Sequence, residues 1–403
     1  MTGSPPTEPL ASDDVTATTG SSWSDWVEAS CRVVDAAGQW RRPRTFDARG
    51  PAGRLSGPVD PSGVESSDVV SFASNDYLGL TTHPAVVEAA HRALDRWGAG
   101  SGASRLITGS RPVHVELETS LAEWKACERA VVFPTGFAAN LSVLEVFAAE
   151  GAQVFSDELN HASIIDGCRA ARAGVTVYRH RDLDQLESLL SSSPGRPVIV
   201  TDTVFSMDGD RADLDGLVEL SRRHDALLVL DEAHAVLGPE LPAAVTAAAG
   251  PAILRVGTLS KTLGSLGGFV AGPTRFIELL ENRARPYIFT TAPTPADAAA
   301  GLAALSVLRS EEGDALRARL TDHVARVCAS LGRIAQPSPI VPVVVGEEAP
   351  TVAASARLLE LGLWVPAIRP PTVPAGTSRL RVTLSAAHTD HQVDRLIDGL
   401  AAR

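Results

Sequence analysis

Cysteine is scarce in this chain: Cys31, Cys127, Cys168 and Cys328 are the only four among 403 residues. None stands in a C-x-x-C pair, so the sequence offers neither a zinc knuckle nor a disulfide framework, and a reducing compartment fits. Long apolar runs are missing too. Uncharged stretches such as Leu241–Leu254 fall short of a spanning helix, which needs ~20 residues, and proline and glycine interrupt them. The N-terminus has no basic segment leading into an apolar core, so no secretory signal is read. A cytoplasmic protein without a membrane span is the expectation. Basic charge is in deficit, with 36 Lys and Arg against 48 Asp and Glu, a net charge of −12. Such a chain would meet a phosphate backbone against its own field, which argues against general nucleic-acid binding but leaves room for a local basic pocket.

Three motifs fail for want of a partner. DEAH at 231–234 has no G-x-x-x-x-G-K-[ST] loop to accompany it, so a nucleotide-driven motor would lack its phosphate cradle. GAGSGAS at 98–104 does not match G-x-G-x-x-G. His161, His234 and the acidic residues match no helix-borne zinc spacing, so no metal is expected. No internal repeat is found.

What is present is a folded composition, 44% hydrophobic and 21% charged, in a chain long enough to divide into a large and a smaller domain. Residues 1–22, rich in Ser, Thr and Pro, read as a disordered tail, because they cannot bury enough apolar surface to offset their ordering entropy. Residues 23–70 form an N-terminal segment whose amphipathic stretch, Trp23 to about Arg49, includes the basic cluster Arg41, Arg42 and Arg44. Over residues 71–305, apolar runs (130–133, 198–204, 226–232, 253–259) alternate with helical patterns. At 213–225, for instance, Leu214, Leu217, Val218 and Ser221 fall on one helical face. Strands apolar on both faces and joined by helices predict a large α/β domain with a mainly parallel sheet. Residues 306–403 change order: a charged helix (311–334), the strand IVPVVVG (340–346), a helix near 351–362, the apolar runs WVPAIR (364–369) and RLRVTLS (379–385), and a last helix. This predicts a smaller C-terminal α/β domain.

Chemistry collects where such strands end. Lys261 follows the run ILRVGTL and precedes a glycine-rich loop. It reads either as a solvated surface lysine or as a desolvated amine able to form Schiff bases, with Thr258 and Ser260 as hydroxyl donors for an anion. Asp231 closes another strand and needs a compensating partner if buried. Gly136 opens a helical pattern and is either a plain turn or a phosphate seat made of backbone N–H groups. His161 in NHAS, and Ser206 in FSMDGD, complete the set. Lysine, carboxylate and helix start together suit a cofactor with an aldehyde, a basic ring nitrogen and a phosphate, as pyridoxal phosphate has.

The motifs SNDYLGL (74–80), GSGASRLITG (100–109), TGFAAN (135–140), NHASIIDG (160–167), VFSMDGD (204–210), DEAH (231–234), TLSKTLG (258–264) and AIRPPTVPAGTSRLRVTLSAAH (367–388) carry a resemblance spanning residue 23 to the C-terminus. The chain resembles the α-oxoamine synthases, pyridoxal-phosphate enzymes of the aspartate-aminotransferase fold (fold type I). The resemblance implies that Lys261 carries the cofactor, Asp231 pairs with the pyridinium nitrogen and His161 stacks on the ring. It places His234 at the ring hydroxyl, Ser206 near the ring, and Gly136, Phe137 and Thr258 at the phosphate. It implies a homodimer in which Thr290 and Thr291 help close the neighbouring site, and substrate contacts from Arg41, His161, Arg369 and Thr372, with Arg369 suited to a carboxylate. The last block points to the biotin-pathway branch, which condenses L-alanine with a pimeloyl thioester carried by coenzyme A or acyl carrier protein. Sibling reactions (glycine C-acetyltransferase, 5-aminolevulinate synthase) and a catalytically silent relative are the alternatives. The family's DEAH-type motif usually continues into a longer glycine-rich stretch than Ala235-Val236-Leu237-Gly238.

Overall fold

The computed structural model describes residues 22–57, 66–242, 245 and 252–402. In chain order the elements begin with α1 (Trp23–Ala36), β1 (Thr45–Ala48), β2 (Ala52–Ser56), β3 (Ser66–Ser71), α2 (Pro84–Trp97), α3 (Pro112–Trp124), β4 (Arg129–Phe133) and α4 (Gly136–Phe147). They continue with β5 (Ala152–Asp157), α5 (Ala162–Ala170), β6 (Gly174–Tyr178), α6 (Leu183–Ser191), β7 (Arg196–Asp202), α7 (Leu214–Arg223), β8 (Leu227–Asp231), β9 (Ile253–Thr258) and β10 (Gly268–Gly272). Then come α8 (Thr274–Arg283), α9 (Arg285–Ile288), α10 (Pro295–Leu308), α11 (Glu311–Ser330), β11 (Ile340–Gly346), α12 (Glu348–Glu360), β12 (Leu363–Trp364), β13 (Ala367–Ile368), β14 (Ser378–Thr383) and α13 (Asp390–Ala401).

Seven strands form the central sheet in the order β4-β10-β9-β8-β7-β5-β6. β10 runs antiparallel to both its neighbours, and the remaining pairs are parallel. The apolar runs are continuous because both faces are covered. Val198, Val200 and Val229 enter one core while Ile199, Leu228 and Leu230 enter another. Side chains alternate with period two, so a strand buried on both sides has no polar face to show in its sequence. α7 buries Leu214, Leu217, Val218 and Ser221 as its spacing predicts, and Asp213 caps it by accepting from the Gly216 N–H at 3.1 Å.

At the ends of the chain the strand pairing ignores sequence distance. β1, β2 and β3 form a sheet completed by β12, parallel to β3, and Phe72 N–H donates to the Trp364 carbonyl at 2.9 Å. The N-terminal segment is therefore continuous in its hydrogen bonding with residues 363–364, and α10 runs across position 305. WVPAIR is two strands in two sheets, not one. Pro366 has no N–H to extend a ladder, and β13 joins β14 and β11 in a second, antiparallel sheet. Residues 1–21 of the expected tail lie outside the described residues, whereas Ser22 is structural: it caps α1, accepting from Asp25 N–H at 3.2 Å.

Candidate active site

The parallel strands all point their C-terminal ends at one edge of the sheet, and that topology gathers residues spread over 130–260 in the sequence. Asp202 ends β7 and Asp231 ends β8, directly opposite one another in register. Thr258 ends β9, three residues before Lys261. Gly136 opens α4 after β4, and His161 caps α5 after β5. Alternation along the chain sends Asp231 into this edge and its neighbour Glu232 the other way, where Glu232 pairs with Lys125 at 2.8 Å and Arg255 at 2.7 Å.

Asp231 is buried, and its two carboxylate oxygens accept from Asn140 Nδ2 at 2.6 Å and Ala233 N–H at 2.9 Å. Asn140 Nδ2 also lies 2.9 Å from Ser163 Oγ, which in turn is 2.8 Å from His161 Nδ1. The His161 backbone N–H donates to Asp202 at 2.7 Å. Burial lowers His161 below the ordinary histidine pKa despite the Asp231 charge, which opposes it. Asp202 lies well above the usual carboxylate range because it is buried and faces Asp231. Burial first, and then the neighbouring Asp231, thus hold Asp202 toward its neutral form.

Lys261 Nζ lies 2.9 Å from His234 Nε2. Burial pulls the amine below the ordinary lysine pKa, with Asp231 and Asp202 acting against the shift and Arg381 with it. His234 falls well below its ordinary value for the same main reason, with Lys261 and Arg381 adding to it. His234 Nδ1 meets the hydroxyl of the fully buried Tyr77 at 2.5 Å.

Arg381 comes from the buried strand β14 and donates to the Ser206 carbonyl at 2.6 Å, Thr383 Oγ1 at 3.0 Å and Asn75 Oδ1 at 3.3 Å. A chain of contacts through Asn75, Tyr77 and His234 joins it to Lys261, and its charge bears on all but the asparagine. Tyr77, Asn75, Asn140, Asp202 and Arg381 are members of the centre that motif reading passed over. The signal for Arg381 was available: a cation inside a wholly buried strand must have partners close by.

The residues fit pyridoxal phosphate. A carboxylate for a ring nitrogen, a depressed lysine amine for an aldehyde, and the start of a 12-residue helix, capped by Thr135 only at the Ala138 N–H, with the Thr258 and Ser260 hydroxyls for a phosphate occupy one edge. A Cβ at Gly136 would stand 3.3 Å from Thr258 Cβ, so a side chain there would crowd the hydroxyl side of the helix start. Phe137 is partly exposed on the first turn.

Other named residues lie apart from this hydrogen-bonded centre. Arg369 donates to the Gly38 carbonyl at 2.7 Å and lies 3.8 Å from Glu348, so it is tied to the chain leading to the exposed Arg41. Thr372 is exposed, and its N–H donates to the Arg369 carbonyl at 3.1 Å. It is Arg381, not Arg369, whose contacts lead to Lys261. Thr290 and Thr291 precede Ala292, whose N–H donates to the Ala103 carbonyl at 3.0 Å, and neither hydroxyl has a hydrogen-bond partner among the described residues. Following DEAH, the Ala235 N–H donates to the Glu232 carbonyl at 3.1 Å in a tight turn; residues 243–244 and 246–251 lie outside the described residues.

A cationic strut holds the loop that carries Ser206. His180 bridges Asp157 at 3.0 Å and Asp210 at 2.8 Å, with its ring edge-on to Phe205 at 4.3 Å and Arg181 3.4 Å from Asp210. Burial alone would depress His180, but the two carboxylates outweigh it and push it up to about 9 from 6.5. A raised folded-state pKa stabilises fully below the unfolded value and fades as pH climbs toward the folded one. Melting temperature should therefore fall by a few degrees between about pH 6.5 and 9. His180→Asn should flatten that slope in a thermal melt, and an unchanged slope would exclude the strut as its cause.

Comparison with known proteins finds relatives along nearly the whole chain. The family model for aminotransferase class I and II matches residues 67–400. A curated 8-amino-7-oxononanoate synthase of Paraburkholderia xenovorans is 45% identical over 93% of this chain and 97% of its own length. One from Anaeromyxobacter dehalogenans is 48% identical over 94% and 95%. Among solved structures, a serine palmitoyltransferase from S. paucimobilis superposes with TM-score 0.83 at 28% identity, covering 94% of this chain and 96% of its own. The 8-amino-7-oxononanoate synthase from Francisella tularensis gives 0.70 at 26%, covering 83% and 97%. The solved relatives share the shape at 26–28% identity, and the curated synthases add 45–48% identity in sequence. No helix among the described residues is long and apolar enough to cross a membrane. The chain belongs to the class I and II aminotransferase family and, within it, to the pyridoxal-phosphate-dependent 8-amino-7-oxononanoate synthases.

Proposed function

We propose that this enzyme condenses L-alanine with a pimeloyl thioester, releasing CO2 and the free thiol carrier, as a step of biotin biosynthesis. The observation that carries the reading is the 45–48% identity to curated 8-amino-7-oxononanoate synthases along nearly the whole chain. Pyridoxal phosphate, when bound, supplies an aldehyde that joins amines and a protonated ring that withdraws electrons from the substrate carbon.

The chain's own residues divide the remaining work. Gly136, Phe137 and Thr258 would hold the phosphate, Asp231 would keep a proton on the ring nitrogen, and His161 would stack on the ring, with Ser206 near it and His234 at its hydroxyl. Lys261 would hold the cofactor by its aldehyde and give that place up to alanine's amine. Its freed amine then takes the Cα proton, a role that suits a lysine whose pKa burial has brought down. Arg381, with Asn75, is placed to receive the amino acid's carboxylate, and its planar fork suits a two-point contact. Arg41, Arg369 and Thr372 form the entry for the acyl substrate. The Cα carbon attacks the thioester carbonyl, the thiol departs, the former alanine carboxylate leaves as CO2, and a proton returns to Cα. Thr290 and Thr291, unpartnered within one subunit, serve the neighbouring site of a homodimer.

The solved serine palmitoyltransferases of similar shape motivate one rival, a sibling condensation using another amino acid. Mass spectrometry of products from alanine, glycine and serine, each offered with pimeloyl-CoA and pimeloyl-acyl carrier protein, decides. Product from alanine, with one donor preferred, is expected; a strict preference for glycine or serine would overturn the assignment.

A further inference from the structure

We propose that Tyr77 is a positioning residue that locks His234 in the tautomer protonated at Nδ1, leaving the Nε2 lone pair facing Lys261. The protons along one chain of contacts can be counted. Arg381 has donors only, so the Asn75 atom it meets at 3.3 Å is the carbonyl oxygen and not the amide nitrogen. The same oxygen lies 3.1 Å from the Tyr77 hydroxyl. Two oxygens that close need a proton between them, and only the phenol has one to give. The phenol's single proton is then committed to Asn75. The contact of 2.5 Å between the Tyr77 oxygen and His234 Nδ1 must therefore carry a proton from the imidazole. A neutral ring protonated at Nδ1 has a bare Nε2, and this atom lies 2.9 Å from Lys261 Nζ as an acceptor.

Flipping the Asn75 amide would set its NH2 against the guanidinium. Turning the phenol toward the histidine would leave two acceptor oxygens facing each other at 3.1 Å. Neither alternative satisfies all the contacts. The fixed charge of Arg381 thus sets, through Asn75 and Tyr77, which face of His234 accepts protons. An acceptor at Nε2 suits a donor at the reacting edge, whether the lysine amine or a ring hydroxyl.

The tautomer stands on geometry alone; its value to turnover rests on the function proposed above. The test uses full-length protein labelled with 15N-histidine, with and without pyridoxal phosphate, and long-range proton–nitrogen spectra. The His234 signal is assigned by its loss in His234→Gln. Wild type should show a protonated Nδ1 and an unprotonated Nε2. Tyr77→Phe, which keeps the ring in its buried socket, should shift both nitrogens toward mixed values and lower kcat on the order of tenfold, as loss of an orienting hydrogen-bond partner commonly does. A proton on Nε2 in the wild type would overturn the proposal. So would an unchanged His234 signal in Tyr77→Phe, even with activity lost, since that would make the tyrosine merely structural. Borohydride fixation of the cofactor on Lys261 is scored separately: if it fails in the wild type, the proposed function falls while the tautomer result stands.

Discussion

Lys261→Ala is expected to reduce turnover by at least about 10⁴-fold, because one amine serves as both the covalent anchor and the base, and such functions fail together. The structural context makes the loss specific. The amine is buried, 2.9 Å from His234, and flanked by two carboxylates and one guanidinium, so no other lysine can take its place by a side-chain rotation. The only other buried lysine, Lys125, is tied to Glu232 at 2.8 Å on the opposite side of that strand end. Folding should survive, since the variant removes a desolvated charge instead of exposing an apolar surface. Three measurements check this together: product formation, the mass added to residue 261 after borohydride reduction, and the melting temperature. Near-normal turnover in a folded variant would exclude Lys261 from both roles.

Asp231→Asn should cost roughly 10³-fold or more in kcat with little change in stability. A charged partner for a ring nitrogen makes a hydrogen bond about twice as strong as a neutral one, and it holds the proton that makes the ring an electron sink. The surroundings can accommodate the amide. One oxygen continues to accept from Ala233 N–H, while the new NH2 would face Asn140 Nδ2, now 2.6 Å from the carboxylate. Asn140 can answer by turning its amide, because its own Oδ1 is buried without a hydrogen-bond partner. The serine hydroxyl at 163 can then donate in place of accepting. A melting temperature within a few degrees of wild type, with activity down by three orders of magnitude, is the expected pair of results. A tenfold loss or less would remove Asp231 from the pyridinium role.

Much of the site was legible because its parts are short and their chemistry is restrictive. A lysine after a buried strand, a carboxylate closing another and a glycine opening a helix are each ambiguous alone, and the structure brings all three to one sheet edge. What escaped notice was of a different kind. Asn75, Tyr77 and Arg381 are more than 300 residues apart at their extremes, and their meaning lies in a contact order that no local pattern encodes. Asp202 sits in the run VIVTDTV, where the sequence shows only that a strand is ending, not that it ends beside Asp231. WVPAIR is a single apolar run in the sequence because hydropathy does not register a missing N–H; Pro366 divides it between two sheets.

The order of amino acids alone determined the alternation of buried strands and amphipathic helices, and with it the sheet edge where reactive groups had to gather. Periodicity and propensity act over a few residues, so they can be read there. Tertiary structure decided which residues of that edge touch: the pairing of the first strands with residues 363–364, the link from Arg381 through Asn75 and Tyr77 to His234, and the proton count that orients His234. These depend on distances of about 3 Å between segments hundreds of positions apart, and only the packed chain brings such segments together.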